Sequence, residues 1–482
     1  MSATLNILFL AAEAEPFVKI GGLADVAGSL PLALRDLSYQ ATQGVKLDVR
    51  LVLPLHRAIR AESATLRPVA ELSVYRRGGT IPAQVFEMSL GGMPVYFIDG
   101  DPLSVSPSVY SLDPALDREK FTFFSMAALE MVYRMDWRPD IIHANDWHTA
   151  LALYALRSRQ TDPVLARMHS VLTLHNLPYM GGEAKDTLMD YGLTLSNEAT
   201  LPAWARTQPL PLGLWAADAV VPVSPTYARE ILTPDFGCGL ETFLNGRSNS
   251  ITGILNGLDM AAWDPETDKT LAEKFSFAEL PMRAANKAAL QRQLGLPEEA
   301  RIPLLAMIGR IDPQKGVDIT LETLRRMTDQ RWQFVILGSS DPALENAARA
   351  LQAEYPERIR AEIRFDAKLS RLIYAGADML LMPSRYEPCG LAQMIAMRYG
   401  CVPVVHATGG LKDTIQEDKT GFLFQKAEVG DMLASLQCAL SVYSSPEKWE
   451  CFQRSGMQQD FSWSSSAARY AMIYRSLSSS SS

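Results

Sequence analysis

Short apolar runs alternate with amphipathic stretches down the whole chain, and no other feature limits the fold as tightly. In the first half, runs at 6–10, 47–53, 140–143, 171–174 and 219–223 read as strands. Helical segments fall between them: 23–37, 121–135, one from Thr149 onward, and one after Ser224-Pro225, where a cap residue precedes a first-turn proline. Runs at 81–90 and 94–98 flank Gly91-Gly92 and read as a β-hairpin. The second half repeats the theme, with strands at 304–308, 334–337, 363–365, 379–381 and 402–405. Strands that are apolar on both sides and alternate with helices imply parallel sheets covered on both faces. Two such blocks predict an α/β protein of two doubly wound domains. The join is expected near Ile254-Leu255-Asn256-Gly257, ahead of a loop-rich stretch at 259–268. A last helix at 464–477 carries Ala467, Tyr470, Tyr474 and Leu477 on one apolar stripe.

The net charge of −8, from 46 basic and 54 acidic residues, argues against bulk binding of nucleic acid or an anionic membrane. It leaves room for a local basic pocket. No apolar run approaches the roughly 18 residues of a membrane span. Residues 5–12, followed by Glu13-Ala14, mimic a signal-peptide core, yet the first cationic side chain is Lys19, downstream of them. They read as the first buried strand. The five cysteines are odd in number and form no CxxC pair, which fits a reducing, cytoplasmic compartment. The serines at 478–482 read as a disordered tail.

The chemistry concentrates on two strand-to-helix turns. Met382-Pro383-Ser384-Arg385-Tyr386-Glu387-Pro388-Cys389-Gly390-Leu391 follows an apolar strand and precedes a helix at 392–399. Such turns are where α/β proteins place ligands. A helix beginning near Gly390 would offer free N–H groups to a phosphate. About 75 residues upstream, Gly309-Arg310-Ile311-Asp312-Pro313-Gln314-Lys315-Gly316 forms a second such turn bearing two cations. One carboxylate, Glu387, with the cations Arg310 and Lys315 and a helix N-terminus, is the set needed to expel a diphosphate from a sugar. Taken singly, Glu387 reads equally as a solvated loop acid and the two cations as surface charge. Cys389 reads as a small buried residue behind the loop, since no histidine lies near it in sequence.

Eight motifs, in order, resemble the bacterial glycogen synthase and plant starch synthase family. They are Lys19-Ile20-Gly21-Gly22-Leu23-Ala24-Asp25-Val26, Asn145-Asp146-Trp147-His148, His175-Asn176-Leu177-Pro178-Tyr179, Val223-Ser224-Pro225-Thr226-Tyr227-Ala228, Leu255-Asn256-Gly257-Leu258-Asp259 with Trp263-Asp264-Pro265, the two turns above, and Thr408-Gly409-Gly410-Leu411. The resemblance implies a retaining glucosyltransferase of GT-B architecture, with two Rossmann-like domains and an active-site cleft between them. The implied partners are ADP-glucose and an α-1,4-glucan, with no metal or other cofactor. Domains are expected at 1–255 for the acceptor and 256–461 for the nucleotide sugar, with a helix at 462–477 returning to the first.

By the same resemblance, Glu387, His175, Arg310 and Lys315 carry catalysis. Lys19, Gly21, Gly22, Asp25, Tyr110, Asp146, Asn176, Phe365, Cys389, Gly390, Leu391, Thr408 and Gly409 bind substrate. Some positions depart from the family pattern. Ala392 stands where a threonine is usual, Met180 replaces a glutamine, Pro211 a lysine, and Phe365 takes the place of an aromatic, often tyrosine, beside the base. Residues 111–117 replace the usual RPGxPY loop. UDP-glucose as donor, an oligosaccharide product, or a non-catalytic glucan- or nucleotide-binding relative remain the alternatives.

Overall fold

The computed structural model describes residues 3–62, 66–106, 108–327 and 329–479. It divides into two units. One takes in the chain up to Gly257 and again from Trp463; the other spans Leu258–Ser462.

The first unit holds an eight-stranded sheet: β1 (Ala3–Leu10), β2 (Val45–Pro54), β3 (Arg67–Arg76), β4 (Gly79–Leu90), β5 (Met93–Gly100), β6 (Ile141–Asn145), β7 (His169–Leu174) and β8 (Ala219–Pro222). Their order is β3-β4-β5-β2-β1-β6-β7-β8. Strands from β5 to β8 pair in parallel, while β3, β4 and β5 form an antiparallel edge. Ile7 and Phe9 face one side of β1, Leu8 and Leu10 the other, and all four are fully buried. That two-sided burial is why the central strands read as unbroken apolar runs. The helix Trp463–Ser479 packs Ala467, Tyr470, Ala471 and Tyr474 into the same core as Ile7 and Phe9. Burying a large apolar side chain contributes roughly 1.5–3 kcal/mol, so this face holds the returning chain firmly.

The second unit holds six parallel strands: β9 (Leu304–Ile308), β10 (Gln333–Gly338), β11 (Ile359–Ile363), β12 (Met379–Met382), β13 (Val402–His406) and β14 (Phe422–Phe424). Their order is β11-β10-β9-β12-β13-β14. Leu305, Phe334, Ile336, Leu381, Val404 and Phe422 line its core.

Several local expectations change. The strand expected at 363–365 lies at Ile359–Ile363, because β11 is an edge strand in which only Ile359 is buried and the other four residues are partly exposed, so it lacks a solid apolar run. No loop separates β6 from the next helix, which spans Asp146–Ser158 and begins three residues before Thr149. β3 and β14 were not foreseen; both lie at sheet edges, where alternation or brevity hides the apolar signal. Ser478 and Ser479 are helical, their hydroxyls bonded to the Arg475 carbonyl at 3.0 and 2.8 Å. Residues 480–482 lie outside the described residues.

Both sheets reverse direction once. β2 and β5 lie on one side of β1, with β6 to β8 on the other; β10 and β11 lie on one side of β9, with β12 to β14 on the other. The loops leaving neighbouring strands diverge there, opening a crevice at the carboxyl ends. These crevices adjoin β1 and β6 in the first unit, and β9 and β12 in the second.

Candidate active site

The crevice of the second unit brings the two charged turns together. Asp312 caps the short 3₁₀ turn Pro313–Lys315, its carboxylate accepting the Lys315 N–H at 3.0 Å. Gly316 follows with φ of 70°, and a Cβ there would sit 2.2 Å from the Pro383 carbonyl oxygen. The glycine thus lets the loop after β9 lie flat on the loop after β12. The result is a 2.6 Å ion pair between Lys315 Nζ and Glu387 Oε2, at residues 72 apart in the chain. Ser384 Oγ donates to the same carboxylate oxygen at 3.0 Å. Glu387 and Ser384 are buried, whereas Arg310 is half exposed and pairs with Asp312 at 2.6 Å and Gln314 at 2.7 Å.

A third loop supports this pair from behind. Gly409 has φ of 45°, and a Cβ there would fall 1.9 Å from the Glu387 carbonyl oxygen. The Gly410 N–H donates to that carbonyl at 3.1 Å. Thr408 is buried at the head of the helix Gly409–Thr414. Cys389 is buried behind the loop, and Gly390 adopts φ of 77°. The helix begins at Ala392, two residues past Gly390, with Leu391 at its cap, and spans seven residues to Arg398. Its dipole is correspondingly small, so the two cations supply most of the positive charge. Phe365 is not drawn into this cluster; it lies 86% exposed just past β11, two strands from β9.

The crevice of the first unit gathers a second set. Gly21 caps the helix Gly22–Arg35, and Lys19 pairs with Asp25 at 2.6 Å and Glu15 at 2.9 Å. Glu13 organises this turn. Its buried carboxylate accepts the Ile20 and Gly21 N–H groups and the Tyr110 hydroxyl, the last at 2.9 Å. Buried Lys120 ties the chain next to Tyr110, donating to the Val109 carbonyl at 2.6 Å.

At the end of β6, Asp146 sits in the left-handed region, with φ of 52°. Its carboxylate accepts the N–H groups of His175 at 2.7 Å and Asn176 at 3.4 Å. His175 Nε2 meets Asn145 Oδ1 at 2.9 Å. Asn176 Oδ1 and His148 Nδ1 are buried without a partner among the described residues. Glu13, Ser384 and Asn145 escaped the sequence reading as site residues. Asn145 stood inside a motif and Ser384 inside another, but Glu13 gave no signal beyond its place after the first strand.

Burial sets the protonation of this cluster. It holds His143, His148 and His175 neutral, their pKa values pushed down to about 3, and that of His56 to about 4. It pushes the Asp146 carboxyl up to about 7, against the two backbone N–H groups that favour its charge. The unfolded chain therefore takes up protons on these histidines near pH 6.5, where the fold does not. Stability is full above that pH and falls as pH drops, by up to about 1.4 kcal/mol per pH unit for each histidine. Asp146 has the opposite sign between about pH 4 and 7 and offsets one of the four. Melting temperature should fall steadily from pH 7 to pH 5; a flat profile over that interval would contradict these assignments.

A family model for the starch synthase catalytic domain matches residues 6–246, and one for group 1 glycosyl transferases matches 286–454. The glycogen synthase of Syntrophotalea carbinolica is 40% identical, over 98% of this chain and 98% of its own. That of an Anaeromyxobacter species is 40% identical, over 98% and 99%. The catalytic domain of starch synthase IV from Arabidopsis thaliana, bound to ADP and acarbose, superposes with a TM-score of 0.89 at 32% identity, covering 99% of this chain and 100% of that one. Two parallel-rich, doubly wound sheets with this match define a glycosyltransferase of GT-B architecture. Within that class, the chain belongs to the glycogen synthase and starch synthase family. No helix among the described residues is long and apolar enough to cross a membrane.

Proposed function

We propose that the chain transfers glucose from ADP-glucose to the non-reducing 4-hydroxyl of an α-1,4-glucan, retaining configuration at the anomeric carbon. The observation that carries this reading is the Lys315–Glu387 pair at the switch point of the second sheet, with Arg310 on the same turn. A diphosphate leaving group gains charge as the glycosidic bond breaks. Lys315 and Arg310 stand ready to neutralise it without reorganisation. Lys315 exchanges its carboxylate partner for phosphate oxygens, which frees Glu387 to hold the glucosyl hydroxyls and to stabilise positive charge at the anomeric carbon.

In this reading Gly390, Leu391, Thr408 and Gly409 bind the donor, and Cys389 shapes the loop. The exposed ring of Phe365 stacks on the base. Lys19, held by Asp25 beside Gly21 and Gly22, takes a phosphate, and Tyr110, Asp146, His175 and Asn176 bind sugar hydroxyls. Residues up to 255 serve the acceptor and lend these groups to the donor, while 256–461 hold the nucleotide sugar. The reaction belongs to the cytoplasm, where the five cysteines, none of them in a disulfide, stay reduced.

Two fixed cations replace a divalent metal at the diphosphate. Incubation with ADP-glucose and a maltooligosaccharide in excess EDTA should therefore yield chains lengthened by α-1,4-linked glucose, identified by proton NMR of the anomeric signals. A β-linked product, or activity that returns only with added divalent metal, would refute the reading.

A further inference from the structure

His175 has a ring whose direction of hydrogen bonding is set by a neighbour that the sequence motifs leave without a role. Asn145 ends β6 and is fully buried. Its Nδ2 donates to the Leu10 carbonyl at the end of β1, at 2.9 Å. A carbonyl can only accept, so the amide has one orientation and its Oδ1 faces the histidine. Oδ1 lies 2.9 Å from His175 Nε2 and can likewise only accept. Nε2 must therefore carry the hydrogen. Thr149 fixes the backbone beneath: its hydroxyl donates to the Asn145 carbonyl at 2.9 Å and accepts the Asn145 N–H at 2.6 Å. Asp146 fixes the backbone of His175 itself, through its N–H at 2.7 Å. Burial keeps the ring neutral, so it carries a single N–H. None of the described residues hydrogen-bonds to Nδ1.

We propose that Asn145 is a positioning residue that locks His175 in the Nε2–H tautomer, so that Nδ1 accepts a hydrogen bond from a hydroxyl of the transferred sugar. This rests on His175 contacting the sugar, as in the function proposed above. It adds a specificity rule: the contacted position must donate. A fluorine there fits the space of the hydroxyl but supplies no hydrogen, and the site rejects it because the buried acceptor is left unpaired.

The direct test needs no variant. Nitrogen-15 spectra of histidine-labelled enzyme, with the His175 signal assigned by its loss in His175→Gln, should show Nε2 protonated and Nδ1 bare at pH 7. An Nδ1–H tautomer or a protonated ring overturns the proposal. A double-mutant cycle tests the coupling. Asn145→Ala should raise donor KM and lower kcat/KM by roughly tenfold, the effect of one lost hydrogen bond. In a His175→Gln background it should do nothing further. Additive losses would assign Asn145 a purely structural role and overturn the positioning claim alone. Wild-type kcat/KM in His175→Gln would instead remove His175 from the site, and the positioning claim with it, while transfer by the wild-type enzyme still stood.

Discussion

Glu387→Gln should lower kcat by roughly 10²–10³ while leaving affinity for ADP within about threefold of wild type. The substitution keeps the shape of a buried side chain and one oxygen for Ser384 Oγ and Lys315 Nζ, so the packed loops after β9 and β12 stay in place. Only the negative charge is lost. If that charge matters to the sugar in the transition state and not to bound ADP, the effect falls on kcat and spares product affinity. Turnover measured with isothermal titration of ADP separates the two. Normal turnover in the Gln variant would remove Glu387 from the chemistry.

Lys315→Ala and Arg310→Ala should each lower kcat by roughly two to three orders of magnitude, since each removes one preorganised cation from the departing diphosphate. Stability separates them. Lys315 is the counter-ion of buried Glu387, and removing it strands a carboxylate, so the Lys315→Ala melting temperature should drop clearly. Arg310 is half exposed and bonded to its own turn, where such pairs contribute little, so its melting temperature should stay near wild type. Lys315→Ala combined with Glu387→Gln should be less damaging than the two separate losses multiplied, because the groups touch. Wild-type kcat in both single variants would dismiss the diphosphate assignment.

The two charged turns were legible because each lies between a fully apolar strand and a helix, the arrangement that positions ligands in any doubly wound sheet. Which turn meets which was not legible from local pattern. That follows from β12 lying beside β9, a matter of sheet order that brings Lys315 to Glu387 across 72 residues. Glu13 is the clearest omission. A glutamate just past a strand reads as a solvated acid, and only the folded chain shows its carboxylate buried beneath Ile20, Gly21 and Tyr110. The helix start at Asp146 was missed for a related reason. Its left-handed backbone is stabilised by bonds to His175 and Asn176, which lie far along the chain, and local propensity does not register them. The edge strands β3 and β11 show the same limit, since partial exposure weakens the apolar signal that marks a strand.

Whether this site expels ADP from ADP-glucose is decided by a comparison of donors. The measurement is kcat/KM with ADP-glucose and with UDP-glucose, each beside the same maltooligosaccharide acceptor. Glucosyl transfer should proceed with ADP-glucose favoured by at least about tenfold, the ratio a single differential hydrogen bond can supply. Equal or reversed preference would contradict the donor assignment, and transfer from neither donor would contradict the account as a whole.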